Sequence, residues 1–315
     1  MKQHFFLLIF LLLPAVIFAQ EASRSYQIYD TQTGKNISTD DLVKNMKKAD
    51  VLIFGEEHND STGHQLEKQI FEKMLQAYPA TALSLEMFST DVQPVINEYL
   101  LKLISEKNFI KESRAWPNYQ DYKPLIELAR LNSTDVIGAN AATRYSNAVS
   151  MAGLQKLNDF PEASKVFLPP LPVDTATGRY HDKFIETLGG HDMGGMKIFQ
   201  TQNLWDASMA WFIAGYAKLH PGKKIFHING RFHSDEKLGV PAQLKKYAPK
   251  LKTLVISCFS VADPDSKKYA GLGDYVIITG SATSSSSSSP SSSQSSSSSS
   301  SPSLPPSLSF SSETN

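Results

Sequence analysis

The sequence contains a single cysteine, Cys258. No intrachain disulfide can form, so packing alone must hold this chain together. Cys258 sits in the apolar run 254–258, where a thiol reads as a small buried hydrophobe and not as a nucleophile. Net charge is also missing: 31 Lys and Arg offset 31 Asp and Glu. There is no basic stripe to match a phosphate backbone, and nucleic-acid binding is not expected. Long hydrophobic runs are scarce. The one exception, residues 5–18, is interrupted by Pro14, follows a short basic start and precedes Ala19-Gln20. It is too short to span a bilayer and has the form of a secretory signal peptide, cleaved near Ala19 or Ala22. With no cysteine near that point, a lipoprotein anchor is not expected. The expectation is export across an inner membrane, to the periplasm or the outer membrane. No repeat of solenoid length is present.

What the chain does have in abundance, at its far end, is serine. Residues 281–312 are almost entirely Ser with scattered Pro. Such a segment buries too little apolar surface to offset its ordering entropy and should be disordered. The organisation expected is a signal peptide over 1–19, one α/β domain over 24–280 and a Ser-rich tail over 281–315. About 260 residues remain for the domain, enough for one large core.

Within that domain, apolar runs alternate with amphipathic stretches. Strands are expected at 51–54, 82–86, 135–138, 165–168, 224–229, 252–257 and 275–279. Most are continuously apolar, as strands buried on both faces are. Helices are expected at 63–78, 92–104, 119–131, 145–152, 200–219 and 241–247. The alternation predicts a mostly parallel central sheet with helices on both faces. The Gly- and Pro-rich stretch 171–195 breaks the rhythm and reads as an irregular or helical excursion, part of a smaller helical lobe.

Two copies of Gly-x-x-His each follow a buried run. One is Gly55-Glu56-Glu57-His58 and the other Gly230-Arg231-Phe232-His233. In an open α/β sheet the carboxyl ends of parallel strands converge on one crevice. His58 and His233 are therefore expected to share a site. Glu86, ending another apolar run, needs a partner there. Asn140, Arg144 and Arg231 belong to the same edge. Histidine with carboxylate suits a divalent metal held by His58, Glu86 and His233. The same three suit general acid–base catalysis.

Other residues carry less. Glu56 reads as solvent-exposed beside Glu57, and His64 as either surface or support. His227, inside a strand, reads as a core histidine. Asp206 sits among Trp205, Met209 and Phe212, where it could fix a histidine tautomer or pair with Arg144 or Arg231. The aromatic stretch 116–124 fits the packed start of a helix, or the wall of a pocket.

Taken in order, several motifs resemble the ChaN-like haem-binding family of the Tiki superfamily. They are GEEHND at 55–60, SLEMF at 84–88, WPNYQDYKPLIELAR at 116–130, VIGANAATRY at 136–145, LPPLP at 168–172, QNLWDASMA at 202–210 and INGRFHSDEKLGVP at 228–241. The resemblance implies a parallel-sheet core and a role in iron acquisition. It implies haem bound through tyrosine, a homodimer that shares haem between its two subunits, and an outer-membrane haem receptor as a partner. Tyrosinate is an established axial ligand of ferric haem. Tyr180 is the first candidate, beside His181 and His191 in the Gly-rich excursion; Tyr119 and Tyr122 follow. The wider superfamily includes metal-dependent proteases and is similar to erythromycin esterases, which implies a second expectation. This is a metal-dependent hydrolase using His58, Glu86 and His233, with Glu57 accepting a proton from metal-bound water. The absent lipoprotein cysteine and the Ser-rich tail both depart from the family pattern.

Overall fold

Continuously apolar runs need cover on both faces, and the chain provides it by building a sheet between two helical layers. The computed structural model describes residues 26–189, 195–261 and 265–280. The expected signal peptide and Ser-rich tail lie outside the described residues. The elements begin with β1 (Tyr26–Asp30), β2 (Lys35–Asn36), α1 (Thr39–Asn45), β3 (Val51–Glu56) and α2 (Ser61–Ala77). β4 (Ala82–Ser89), α3 (Gln93–Leu100), α4 (Glu106–Glu112), α5 (Tyr119–Leu131), β5 (Val136–Asn140) and α6 (Thr143–Ala152) follow. Then come α7 (Glu162–Lys165), α8 (Arg179–Leu188), α9 (Ile198–Leu219), β6 (Ile225–Gly230), α10 (Val240–Tyr247), β7 (Thr253–Ser260) and β8 (Tyr275–Thr279).

The strands form one sheet in the order β2-β1-β8-β7-β3-β6-β4-β5. All neighbours from β8 to β5 are parallel; β1 pairs antiparallel with β8 and with β2 at the edge. The expected α/β class and mostly parallel sheet are present. Side chains alternate across the sheet, so Leu52 and Phe54 face one layer while Val51 and Ile53 face the other. The first layer is built from α1 to α5 and the second from α6, α9 and α10.

One expected strand is absent. Residues 165–168 leave the short helix α7 and turn into Pro169-Pro170. Lys165 pairs with Glu162 one turn back, and two prolines without N–H donors cannot extend a ladder. The Gly-rich excursion holds an ordered helix, α8, closed by Gly189 in the left-handed conformation.

The connections place the functional crevice. The chain leaves β3 toward β4 on one side and leaves β6 toward β7 on the other. β3 and β6 are adjacent, so their connections part at the carboxyl edge between them. Register there pairs Gly55 with Asn229 and Glu56 with Gly230. The two glycines thus make room for each other's corners. A Cβ on Gly55 would meet Ser234 Oγ at 2.5 Å and the Arg231 Cα at 2.9 Å. A Cβ on Gly230 would meet His58 Nε2 at 2.7 Å.

This reciprocity predicts a difference between the two positions. Gly55→Ala presses on backbone and should destabilise the fold by about 1–3 kcal/mol. Gly230→Ala presses on a side-chain end, so its main effect should be a displaced His58 ring. Urea unfolding midpoints and the imidazole chemical shifts of His58 check both outcomes.

Candidate functional site

β3 runs two residues past its apolar segment, and this extension turns Glu56 into the protein. Glu56 is buried, and its Oε1 accepts from Tyr122 Oη at 2.7 Å and faces His58 Nδ1 at 2.7 Å. Trp116 lies edge-on to the His58 ring, with centroids 5.3 Å apart. The next residue, Glu57, points elsewhere. Its Oε2 accepts from the Ser260 N–H, and its Oε1 lies 3.8 Å from Arg231. The proton-accepting role expected of Glu57 therefore has no geometric support; Glu56 is the carboxylate at the site.

The second corner repeats this arrangement with a different carboxylate. His233 Nδ1 is 2.7 Å from Asp206 Oδ1, and Asp206 Oδ2 accepts from Tyr180 Oη at 2.5 Å. Asp206 is thus paired with histidine and tyrosine, not with Arg144 or Arg231. Arg144 instead pairs with Asp91, and Arg231 with Asp235. Gln202, one turn before Asp206 on α9, brings its amide nitrogen within 2.8 Å of the same ring atom.

Glu86 lies between the corners. It sits inside β4, which continues to Ser89, so it does not end its strand as expected. Its Oε2 accepts from the Gly230 N–H at 2.7 Å, and its Oε1 is 3.4 Å from His233 Nε2. The space that a Gly230 Cβ would fill is bounded by both His58 Nε2 and Glu86 Oε2. Each histidine is held at Nδ1 by a buried carboxylate, which leaves both Nε2 atoms on the Glu86 side. His58, Glu86 and His233 are brought into one crevice.

Electrostatics follow from burial set against pairing. Burial alone would raise Glu86, but the His233 and His58 charges bring it down to about 2. Burial alone would lower His233, but Glu86 and Asp206 raise it to about 10. His58 is raised in the same way by Glu56 and Glu86. Glu56, hydrogen-bonded by His58 and His64 against its burial, is held well below the usual carboxylate range. Asp206 is raised, chiefly by burial. His227 is the expected core histidine: wholly buried, bonded to Ser84 Oγ at 3.0 Å and lowered to about 4.

Sequence reasoning missed a third group. His64, early in α2, lies 3.2 Å from Glu56 Oε2 and 3.3 Å from Glu67 Oε2. Burial and the Glu56 charge push Glu67 well above its ordinary value. Its position was detectable: Glu67, Ile70, Phe71 and Met74 share the buried stripe of α2. Donor atoms of Glu56, His64 and Glu67 all lie within 4.8 Å of one another. Those of His58, Glu86 and His233 do not close this far.

The residues singled out for haem are dispersed. Tyr180 faces inward onto Asp206, Tyr122 onto Glu56, and Tyr119 is buried beside Phe109. His181 is 49% exposed on the outer face of α8, where its ring packs edge-on to Phe199. His191 lies outside the described residues.

A family model described as haem-binding uptake, Tiki superfamily, ChaN, matches residues 42–244. Among solved structures, ChaN of Campylobacter jejuni, in a study of cofacial heme binding, superposes with a TM-score of 0.61. It is 20% identical, and the match covers 81% of this chain and 96% of that one. This likeness shows the fold. Two remoter likenesses are a Bacillus cereus protein and an erythromycin esterase EreC variant. The first has a TM-score of 0.43, 17% identity and covers of 72% and 70%. The second has a TM-score of 0.44, 10% identity and covers of 81% and 83%. No curated protein matches the sequence.

The Glu86–His233 pair predicts a pH profile. The raised His233 contributes stability that is whole below 6.5 and lost as pH rises through about 10. The lowered Glu86 contributes stability that is whole above 4.5 and lost as pH falls through about 2. The thermal midpoint should therefore peak between those unperturbed values and fall on the alkaline side. In Glu86→Gln the alkaline decline should still begin near 6.5 but be smaller and end at lower pH. A wild-type midpoint that stays flat from neutral pH to about 10 would contradict this assignment.

Proposed function

The chain belongs to the ChaN haem-binding uptake family of the Tiki superfamily, and on that premise we propose that it binds haem for iron acquisition outside the cytoplasm. The family match over residues 42–244 is the observation that carries this reading. The apolar N-terminal run supports export, and an outer-membrane haem receptor is the partner proposed.

The candidate ligands differ in how well they fit an iron. Burial pushes the phenols of Tyr180, Tyr119 and Tyr122 upward, away from the phenolate that ferric haem prefers. As packed, none of them fits. His181 does: its ring is half exposed, and Ile185, one turn along α8, is 47% exposed on the same side. An imidazole beside exposed apolar surface matches one face of a porphyrin. The other face would remain open to a second copy of the chain, consistent with a homodimer sharing haem. Haem supplies the iron centre; the chain supplies the imidazole and the apolar seat.

Hemin titration tests this reading. The wild type should give a saturable Soret shift. His181→Ala should weaken binding about tenfold or more, in line with the loss of one good ligand interaction. Tyr180→Phe keeps the ring and removes only the oxygen, and its spectrum should be unchanged. A spectrum altered by Tyr180→Phe and not by His181→Ala would move the iron to Tyr180. No spectral change in the wild type would remove haem from the account.

One observation favours a second reading, that of a hydrolase. Two histidines oriented by carboxylates and facing a third carboxylate form an acid–base set. In this reading the neutral form of one imidazole takes a proton from water at Nε2. Its Nδ1–H stays bonded to Glu56 or Asp206, and Glu86 orients the water. Groups acting as one unit are strongly non-additive. His58→Ala and His233→Ala should each abolish hydrolysis of an ester panel, with the double variant no worse. A wild type inactive on esters and peptides, with or without added zinc or manganese, would end this reading.

A further inference from the structure

Behind His58, on the side away from Glu86, lies the group formed by Glu56, His64 and Glu67. Among the described residues it is the one set of three His, Cys or carboxylate side chains with donor atoms within 4.8 Å of one another. We propose that Glu56, His64 and Glu67 bind one divalent transition-metal ion, which locks the carboxylate that orients His58.

Three features of the geometry support this assignment. The first is the tautomer of His64. Its Nε2 faces the backbone carbonyl of His58 at 3.2 Å, so that nitrogen carries the hydrogen. Its Nδ1 faces two carboxylate oxygens, 3.2 and 3.3 Å away. Without an ion that nitrogen carries a proton shared with the two anions, and a metal ion would take that proton's place. Histidine ligands of metals commonly donate their other N–H to a backbone carbonyl, as here.

The second feature is the poorly satisfied oxygens. Glu67 Oε1 is buried without a hydrogen-bond partner, and Glu56 Oε2, 3.2 Å from the His64 ring nitrogen, is poorly satisfied. Glu67 itself is 0% exposed and Glu56 is 2% exposed. Buried carboxylate oxygens are normally satisfied.

The third feature is rigidity with access. Tyr122 lies edge-on to the His64 ring at 5.2 Å, fixing its plane. Asp121, 45% exposed, stands 3.9 Å from His64 Nε2 and marks the solvent side.

The donor set selects the ion. One imidazole with two carboxylates suits zinc, manganese or ferrous iron, whereas magnesium and calcium prefer all-oxygen shells. Glu56 would bridge the ion and His58, because its other oxygen faces His58 Nδ1. The ion would then be a positioning element and not a substrate-binding one.

The test uses the full-length protein, stripped with a chelator and reloaded separately with zinc, manganese, cobalt or magnesium. One equivalent of zinc, manganese or cobalt should remain after gel filtration, with none for magnesium. Cobalt loading should give a visible d–d spectrum in the wild type, which needs no variant. Glu67→Gln should weaken zinc binding at least tenfold and abolish the rise in thermal midpoint on loading. Glu86→Gln, at the open crevice, should retain the equivalent. The proposal is overturned if the wild type holds no stoichiometric ion. It is also overturned if uptake is lost in Glu86→Gln but kept in Glu67→Gln, which would place the ion between the corner histidines. If Glu67→Gln matches the stability of the wild type under all four ions, the group holds a shared proton only. Hemin binding at His181 is read independently by the Soret shift, so neither failure masks the other.

Discussion

Four carboxylates are buried at one end of this sheet with three imidazoles beside them. Glu56, Glu67, Glu86 and Asp206 are each no more than 2% exposed. His58, His64 and His233 are the cations placed to neutralise them. A buried ionised carboxylate without compensation is among the most expensive features a fold can contain. Three can be matched by three imidazoliums; the fourth must hold a proton or face an added cation. Much of the surrounding structure follows from this constraint. Tyr122 and Tyr180 donate into the carboxylates, Gly230 gives its N–H to Glu86, and the core histidine His227 stays neutral nearby.

The sequence revealed the parallel sheet because strands buried on both faces leave uninterrupted apolar runs. It revealed the pairing of His58 with His233 because each follows such a run. The choice between Glu56 and Glu57 was hidden. It depends on β3 continuing two residues beyond Phe54, past the point where hydrophobicity ends. Asp206 was placed as a possible tautomer lock, but its tyrosine partner came from an excursion whose glycines masked helix α8. Residues 165–168 failed as a strand because three apolar positions do not distinguish a strand from a helix end leading into prolines. The Glu56–His64–Glu67 group escaped because a buried glutamate on an apolar stripe looks, by composition, like any surface helix residue.

Helix α8 ties the two proposed activities together. Tyr180 and His181 are consecutive, yet one ring reaches inward to Asp206 and the other sits outside against Phe199. Gly239, in the left-handed region, lets this inner contact close. A Cβ there would meet Asp206 Oδ1 and Tyr180 Oη at 2.9 Å each. A ligand seated against His181 on α8 would therefore act on a helix whose preceding residue, Tyr180, holds the His233 carboxylate.

The reciprocal glycines have a consequence for anyone transplanting this site. A single strand-loop segment carrying Gly-x-x-His is not a portable module, because its glycine serves the neighbouring strand and not its own loop. Gly55 yields space to Arg231 and Ser234, and Gly230 yields it to the ring of His58. Grafting one loop into a foreign sheet would import a histidine with nowhere to lie. The smallest inheritable unit is the adjacent pair β3 and β6 in this register. Descendants of the fold should therefore keep both corners or lose both.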